Sequence, residues 1–304
     1  LTTVAGLTGE VALAREAVAG RLRGVDPADF AAVRRAYDAF AENDPLPAGA
    51  AQSVIPLAGV RCLGVLPKGV GGDQVIFWLH GGGFAMGSSI SHRAMAGWTA
   101  EHASAAAVIP DYRLAPEHPF PAAIDDAVDA YKAMLGEGVA PGRIIVAGDS
   151  AGGWLATALL LRLRAEGIAS PAGLMLLSPW VNLANTGWSW EAKATRDPFI
   201  TKPGLDATAK RWLGERSPLD PEISLLDADL RGFPPVYIQV GEAETLLSDS
   251  TRLAERLGAS GSPVTLEIWP DMFHVFQARF TLLSPARQAI ERLGAWTKAH
   301  LRGA

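Results

Sequence analysis

The chain contains a single cysteine, Cys62, in 304 residues. One thiol forbids an internal disulfide and cannot build a cysteine-based zinc site, a usage that fits a cytoplasmic setting. No apolar run approaches the ~18 residues that a membrane span needs. The N-terminal apolar stretch is interrupted by Glu10, Arg15 and Glu16, unlike the uncharged centre of a secretory signal. Basic clusters are also missing: Lys and Arg number 27 against 32 Asp and Glu, for a net charge of −5. Without a positive field, nucleic acid and anionic lipid are poor partners. Glycine and proline, at 32 and 21 residues, stay below low-complexity levels, which excludes disorder and collagen-like structure.

What is present is apolar: 49% of residues are hydrophobic, enough for a sizeable core in one large α/β unit. Residues 1–45 read as two helices. In the second, Asp26 precedes Pro27 as an N-cap, and Phe30, Val33, Ala36, Tyr37 and Phe40 recur at helical spacing. From Val54 onward β-branched runs give two extended segments, and QVIFWL at 74–79 is the continuous apolar run of a buried strand. Beyond Leu79 strands and helices alternate, the signature of parallel strands joined by right-handed crossovers. Helices are expected near 92–105, 122–135 and 151–166, with a last one capped by Ser284 and Pro285. Residues 180–232 break the rhythm and read as an insertion over one end of the sheet, so that 46–179 and 233–304 form the two parts of the core.

Chemistry gathers where strand, turn and helix meet at Gly148-Asp149-Ser150-Ala151-Gly152-Gly153. This G-x-S-x-G pattern permits a sharp turn that lifts the Ser150 hydroxyl above the strand ends, and the following helix aims its first N–H groups at the same point. By itself the pattern also describes an ordinary strand-to-helix turn. His80-Gly81-Gly82-Gly83-Phe84 directly follows the VIFWL strand, and successive glycines let backbone amides approach a developing oxyanion. The expected donors are the amides of Gly82, Gly83 and Ala151. A phosphate loop would need a lysine at Walker spacing, and none follows.

A nucleophilic serine needs a base. Of six histidines, His80 belongs to the glycine turn, His92 and His102 fall on or beside a helix read as surface, His118 sits between prolines, and His300 is near the C-terminus. His274 alone lies in a loop just past a late strand, and is the expected base. The acid should follow the preceding strand, where Glu242, Glu244 and Asp249 are all near enough; Glu244 is the first choice and Asp249 the second. The aromatics Phe84, Trp180, Trp188, Phe199 and Trp212 are the expected substrate-binding side chains of an apolar lid, with Trp190 in the same stretch. Packing the insertion onto the core is the competing use of each.

Together, HGGGF at 80–84, DYRLAPEHPFPAA at 111–123, GDSAGG at 148–153, GEAETLL at 241–247 and WPDMFH at 269–274 resemble the bacterial hormone-sensitive lipase family of α/β-hydrolases, over roughly residues 54–302. The resemblance implies an α/β fold with an eight-stranded, mostly parallel sheet, flanking helices, and a helical cap built from residues 1–45 and 180–232. It further implies hydrolysis of small carboxylic esters, mostly with short acyl chains, without a cofactor. Asp111, Tyr112, Arg113 and Glu117 match a structural strand-to-loop motif. Many family members carry Asp-Pro-Leu at the acid position; here Glu244-Thr245-Leu246 resembles a subgroup with glutamate. A homodimer through the outer edge of the last strand would fit the family. Two other uses of this fold remain open: an amidase or peptidase with the same triad, and a ligand receptor, in which the base is replaced, whereas this chain keeps His274.

Overall fold

A computed structural model describes residues 4–198 and 200–301. The strands are β1 (Ala51–Leu57), β2 (Val60–Leu66), β3 (Val75–Leu79), β4 (Ala106–Pro110), β5 (Ile144–Asp149), β6 (Gly173–Leu177), β7 (Val236–Gly241) and β8 (Val264–Trp269). They form one sheet in the order β1-β2-β4-β3-β5-β6-β7-β8. Only the β1–β2 and β2–β4 pairings are antiparallel; from β4 to β8 the strands run parallel. The fold expected from the alternation of strands and helices is the one observed.

Parallel strands covered on both faces should read as unbroken apolar runs, and the central strands do. Val75, Phe77 and Leu79 of β3, with Ile144 and Val146 of β5, face one core cluster. Ile76, Trp78, Ile145 and Ala147 face the other. Helices α4 (Ala122–Gly136), α5 (Ala151–Ala165) and α8 (Leu247–Ala259) cover the first face; α3 (Ser89–Ala103) and α9 (Ser284–His300) cover the second. Truncating a fully buried side chain such as Leu176 to alanine should cost about 2–5 kcal/mol.

Local capping moves several expected boundaries. Helix α2 (Phe30–Ala39) is capped by Asp29, whose carboxylate accepts from the Ala32 amide; Asp26 instead takes the Ala28 amide in the turn before it. Helix α3 starts at Ser89 because Ser88 and Ser91 form a reciprocal capping box. Ser284 is the first residue of α9 and does not cap it. Its amide and hydroxyl both donate to Glu10 of α1 (Val4–Gly20), so the N-terminal helix supplies the acceptor that the local sequence lacks. Between β6 and β7 the chain leaves the sheet and forms α6 (Ser189–Ala192) and α7 (Lys202–Leu213). No helix of the described residues is long and apolar enough to cross a membrane.

Candidate active site

Ser150 sits between β5 and α5 with φ 52° and ψ −121°, a left-handed backbone that a serine adopts only when its surroundings impose it. The surroundings are tight. A Cβ on Gly148 would stand 2.2 Å from the Gly152 carbonyl oxygen, and one on Gly152 would stand 1.9 Å from that of Leu79. The Ser150 amide donates to Leu177 at 3.0 Å, and its carbonyl accepts from Gly153 and Trp180, both at 2.9 Å. These bonds leave the side chain as the part of the residue that faces the cleft.

Gly82 and Gly83 follow β3 with φ of 119° and 63°. A Cβ on Gly82 would lie 2.1 Å from the Met86 carbonyl oxygen, and one on Gly83 2.8 Å from the methyl carbon of Thr208 on α7. Among the described residues no acceptor takes the N–H of Gly82, Gly83 or Ala151. Three backbone donors are thus left uncommitted around the Ser150 side of the cleft.

His274 follows β8, and its Nε2 stands 2.9 Å from Ser150 Oγ. Its Nδ1 stands 2.7 Å from Glu244 Oε2. A carboxylate can only accept, so Nδ1 carries the proton and Nε2 is free to accept from the serine hydroxyl. Glu244 is fully buried and its other oxygen takes the Ser178 hydroxyl at 2.8 Å and the Gly241 amide at 2.6 Å. Asp249, the second choice for the acid, points elsewhere: its Oδ2 accepts from the amides of Val181 and Asn182. Burial pushes its carboxyl up to about 7. Glu242 pairs with Lys193 and Arg196; the hydrogen bond from Lys193 holds its carboxyl below the ordinary range.

Beneath the glycine turn lies a polar network. Tyr112 stacks on His80, ring centres 4.1 Å apart, and donates to the His80 carbonyl at 2.6 Å. Burial pushes His80 down to about 4, with His92 adding to the effect, so at neutral pH it is uncharged and its Nδ1–H serves the Gly81 carbonyl at 2.8 Å. His92 is not a surface residue: it is 4% exposed, because α3 turns this side toward the nucleophile strand. Its Nε2 lies 3.2 Å from both Asp149 Oδ2 and the Gly81 amide. Burial alone would strip the proton from His92, but the Asp149 carboxylate outweighs it and the imidazole titrates above its ordinary value. Asp149, against its own burial, is held below the carboxyl range by His92, and its Oδ1 takes the Trp78 indole at 3.0 Å.

The Ser150 side chain opens into a cleft of about 870 Å³, mouth included. Its walls are not the expected aromatics. Phe84, Trp180 and Trp212 are fully buried; Phe84 stacks on Trp212 with centres 3.7 Å apart, and Trp154 and Trp180 close the cluster. They nail the insertion to the sheet, which is where large apolar rings gain most from burial. Trp190 is buried too, and Trp188 is 55% exposed outside the cleft. Phe199 lies outside the described residues. The cleft is lined instead by Val18 of α1 and Arg21 in the turn that follows it, Tyr37 of α2, Ile200, Leu205 and Thr208 at and before α7, and Arg279 beyond His274. Their scattered positions leave no local motif, so nothing in the sequence pointed to them; Ser178 likewise stands outside every motif.

Comparison with known proteins accords with this architecture. The family description "alpha/beta hydrolase fold" matches residues 76–278. An acetyl-hydrolase of Streptomyces hygroscopicus is 41% identical over 225 residues, covering 74% of this chain and 75% of that protein. An esterase of Acinetobacter venetianus is 38% identical over 237 residues, covering 78% of each. The crystal structure of an esterase from the bacterial hormone-sensitive lipase family superposes with a TM-score of 0.92 at 37% identity, covering 99% of this chain and 100% of that one. The chain belongs to the α/β-hydrolase fold family and, within it, to the bacterial hormone-sensitive lipase family of carboxylic ester hydrolases.

Proposed function

We propose that the chain hydrolyses short-chain carboxylic esters through an acyl-enzyme on Ser150. The observation that carries this is the continuous chain of contacts from Glu244 Oε2 to His274 Nδ1 and from His274 Nε2 to Ser150 Oγ, at 2.7 and 2.9 Å. The Ser150 oxygen attacks the ester carbonyl as its proton passes to His274 Nε2, and the amides of Gly82, Gly83 and Ala151 receive the oxyanion. His274 returns the proton to the leaving alcohol. A water then gives its proton to His274 and attacks the acyl-serine, and the acid leaves as Ser150 recovers its hydrogen. Glu244 keeps the imidazole in the required tautomer and stabilises its charged form.

Ser150→Ala is expected to abolish turnover of p-nitrophenyl acetate and butyrate, and a fluorophosphonate should label the native chain on Ser150 alone. Wild-type turnover in Ser150→Ala would refute the assignment. The homodimer belongs to the same reading: β8 forms the outer edge of the sheet and leaves Ile268 45% exposed, and light scattering tests it.

A further inference from the structure

The chain at and after α6 grips the loop that carries the proposed acid. Asp197 Oδ2 accepts both the amide and the hydroxyl of Thr245, at 2.9 and 3.1 Å. The hydroxyl of Ser189, on α6, donates to the Thr245 carbonyl at 2.5 Å and accepts the Ser248 amide at 3.0 Å. Asp197, Ser189 and Thr245 are all buried. Thr245 directly follows Glu244, and each of its polar atoms is held by a residue of the insertion.

On the other side of Glu244 the same segment takes hold again, where Lys193 and Arg196 pair with Glu242. Arg196 also reaches Asp271, in the loop that leads to His274, at 2.8 Å. Solvent reaches these ion pairs and screens them, so each contributes little. The bonds to Asp197 are buried and charge-assisted, and bonds of that kind are the ones whose loss is felt. Asp197 has a second attachment: its Oδ1 accepts the amide of Ile200 at 2.9 Å, and Ile200 lines the cleft that holds Ser150. Asp197 itself does not line that cleft, so its influence on the reaction passes through these two partners.

From this double attachment we infer that Asp197 is a positioning residue: one of its oxygens fixes the main chain beside Glu244, and the other fixes the wall that Ile200 presents to the ester. The inference rests on the reading of Glu244, His274 and Ser150 above and adds a link between the seating of the insertion and the placement of the acid. Small displacements of a group that orients the reaction are costly, on the order of 10²-fold for about 1 Å. Loosening Asp197 should therefore be felt twice, in the rate through Glu244 and in acyl selectivity through Ile200.

The test assays Asp197→Ala, Asp197→Asn and Thr245→Val on p-nitrophenyl acetate and p-nitrophenyl hexanoate. Expressing kcat per serine titrated by a fluorophosphonate removes any unfolded fraction from the comparison. Asp197→Ala should lower kcat about ten- to hundredfold and shift the hexanoate-to-acetate ratio of kcat/KM by roughly threefold or more. Thr245→Val removes only the hydroxyl bond and leaves the Ile200 contact, so it should lower kcat about three- to tenfold with that ratio unchanged. Asparagine offers one acceptor oxygen in place of two, and Asp197→Asn should fall between wild type and Asp197→Ala. Adding Thr245→Val to Asp197→Ala should bring no further loss, because both act through the same contact. If Asp197→Ala does not fold, Asp197→Asn and Thr245→Val decide. A wild-type kcat or a wild-type ratio in the Asp197 variants, or losses that multiply in the double variant, would reduce Asp197 to a support of the fold and overturn the inference. Turnover surviving in Ser150→Ala, or Glu244→Gln within about tenfold of wild type, would instead overturn the mechanism on which it rests.

Discussion

The hydroxyl of Ser178 lies 2.8 Å from Glu244 Oε1 and at the same time accepts the Val275 amide at 3.1 Å. One side chain from the end of β6 thereby ties the proposed acid to the loop that carries His274. Ser178 does not line the cleft, so its influence must pass through those two partners. Losing one hydrogen bond to a buried carboxylate is worth about 1.5–3 kcal/mol, or roughly ten- to hundredfold in rate. Ser178→Ala should therefore lower kcat for p-nitrophenyl butyrate by that factor with KM little changed. A rise in KM at constant kcat would show that Ser178 acts on the substrate and not on Glu244.

The choice between the two acids can be read from a pair of amides. Glu244→Gln keeps the size of the side chain but can present an N–H to His274 Nδ1, which favours the wrong tautomer. A loss on the order of 10⁴ in kcat is expected by analogy with other triads. Asp249→Asn, whose native carboxylate serves the amides of Val181 and Asn182, should stay within about tenfold of wild type, since tens-fold effects require about 1.4 kcal/mol or more at the reacting centre. Steady-state assays of both variants on one ester decide it, and a larger loss in Asp249→Asn would reverse the assignment.

The sheet was legible because its strands are buried on both faces, so β3, β5 and β6 spell themselves as apolar runs. Ser150, Glu244 and His274 were legible because each follows a strand that a glycine-rich or turn-rich segment ends. The cleft walls are not legible in the same way, for a physical reason. Trp180 and Trp212 are apolar whether they face substrate or core, and residue type alone does not separate the two; the stacking of Trp212 on Phe84 is a tertiary fact. His92 reads as a surface residue from sequence because α3 is apolar on more than one side, which hides its inward face.

His92 offers a third test. Its Nε2–H donates to Asp149, so His92→Phe removes that donor and leaves the Asp149 charge buried with Trp78 as its remaining side-chain donor. Stripping a buried charge of its partner costs about 3–5 kcal/mol. Because the folded His92 titrates above its unfolded value, its contribution is fully present below about pH 6.5 and is lost as pH rises through the folded value. Asp149, depressed in the fold, contributes above about pH 4 and loses its share as pH falls further. Urea melts from pH 4 to 9 should show a wild-type decline on the alkaline side that is absent in His92→Phe. Parallel profiles for the two proteins would remove His92 from the account.

Asp249 supplies a pH dependence in a different window. Burial raises its folded carboxyl from 3.8 to about 7, so the folded chain holds a proton that the unfolded chain has released anywhere between those values. Folding is then favoured at the acid end: the contribution is fully present below about pH 4, falls as pH rises, and is exhausted once pH passes the folded value. Over that window the change is on the order of 4 kcal/mol. Asn in its place cannot titrate, yet it keeps an oxygen for the amides of Val181 and Asn182 and puts an N–H₂ where Asp249 Oδ1 is buried without a partner. Asp249→Asn should accordingly be less stable than wild type at pH 4.5 and lose that deficit by pH 8. Denaturant melts of both proteins at these two pH values measure the crossing, and a stability difference that stays constant with pH would mean that Asp249 is ionised in the folded chain throughout.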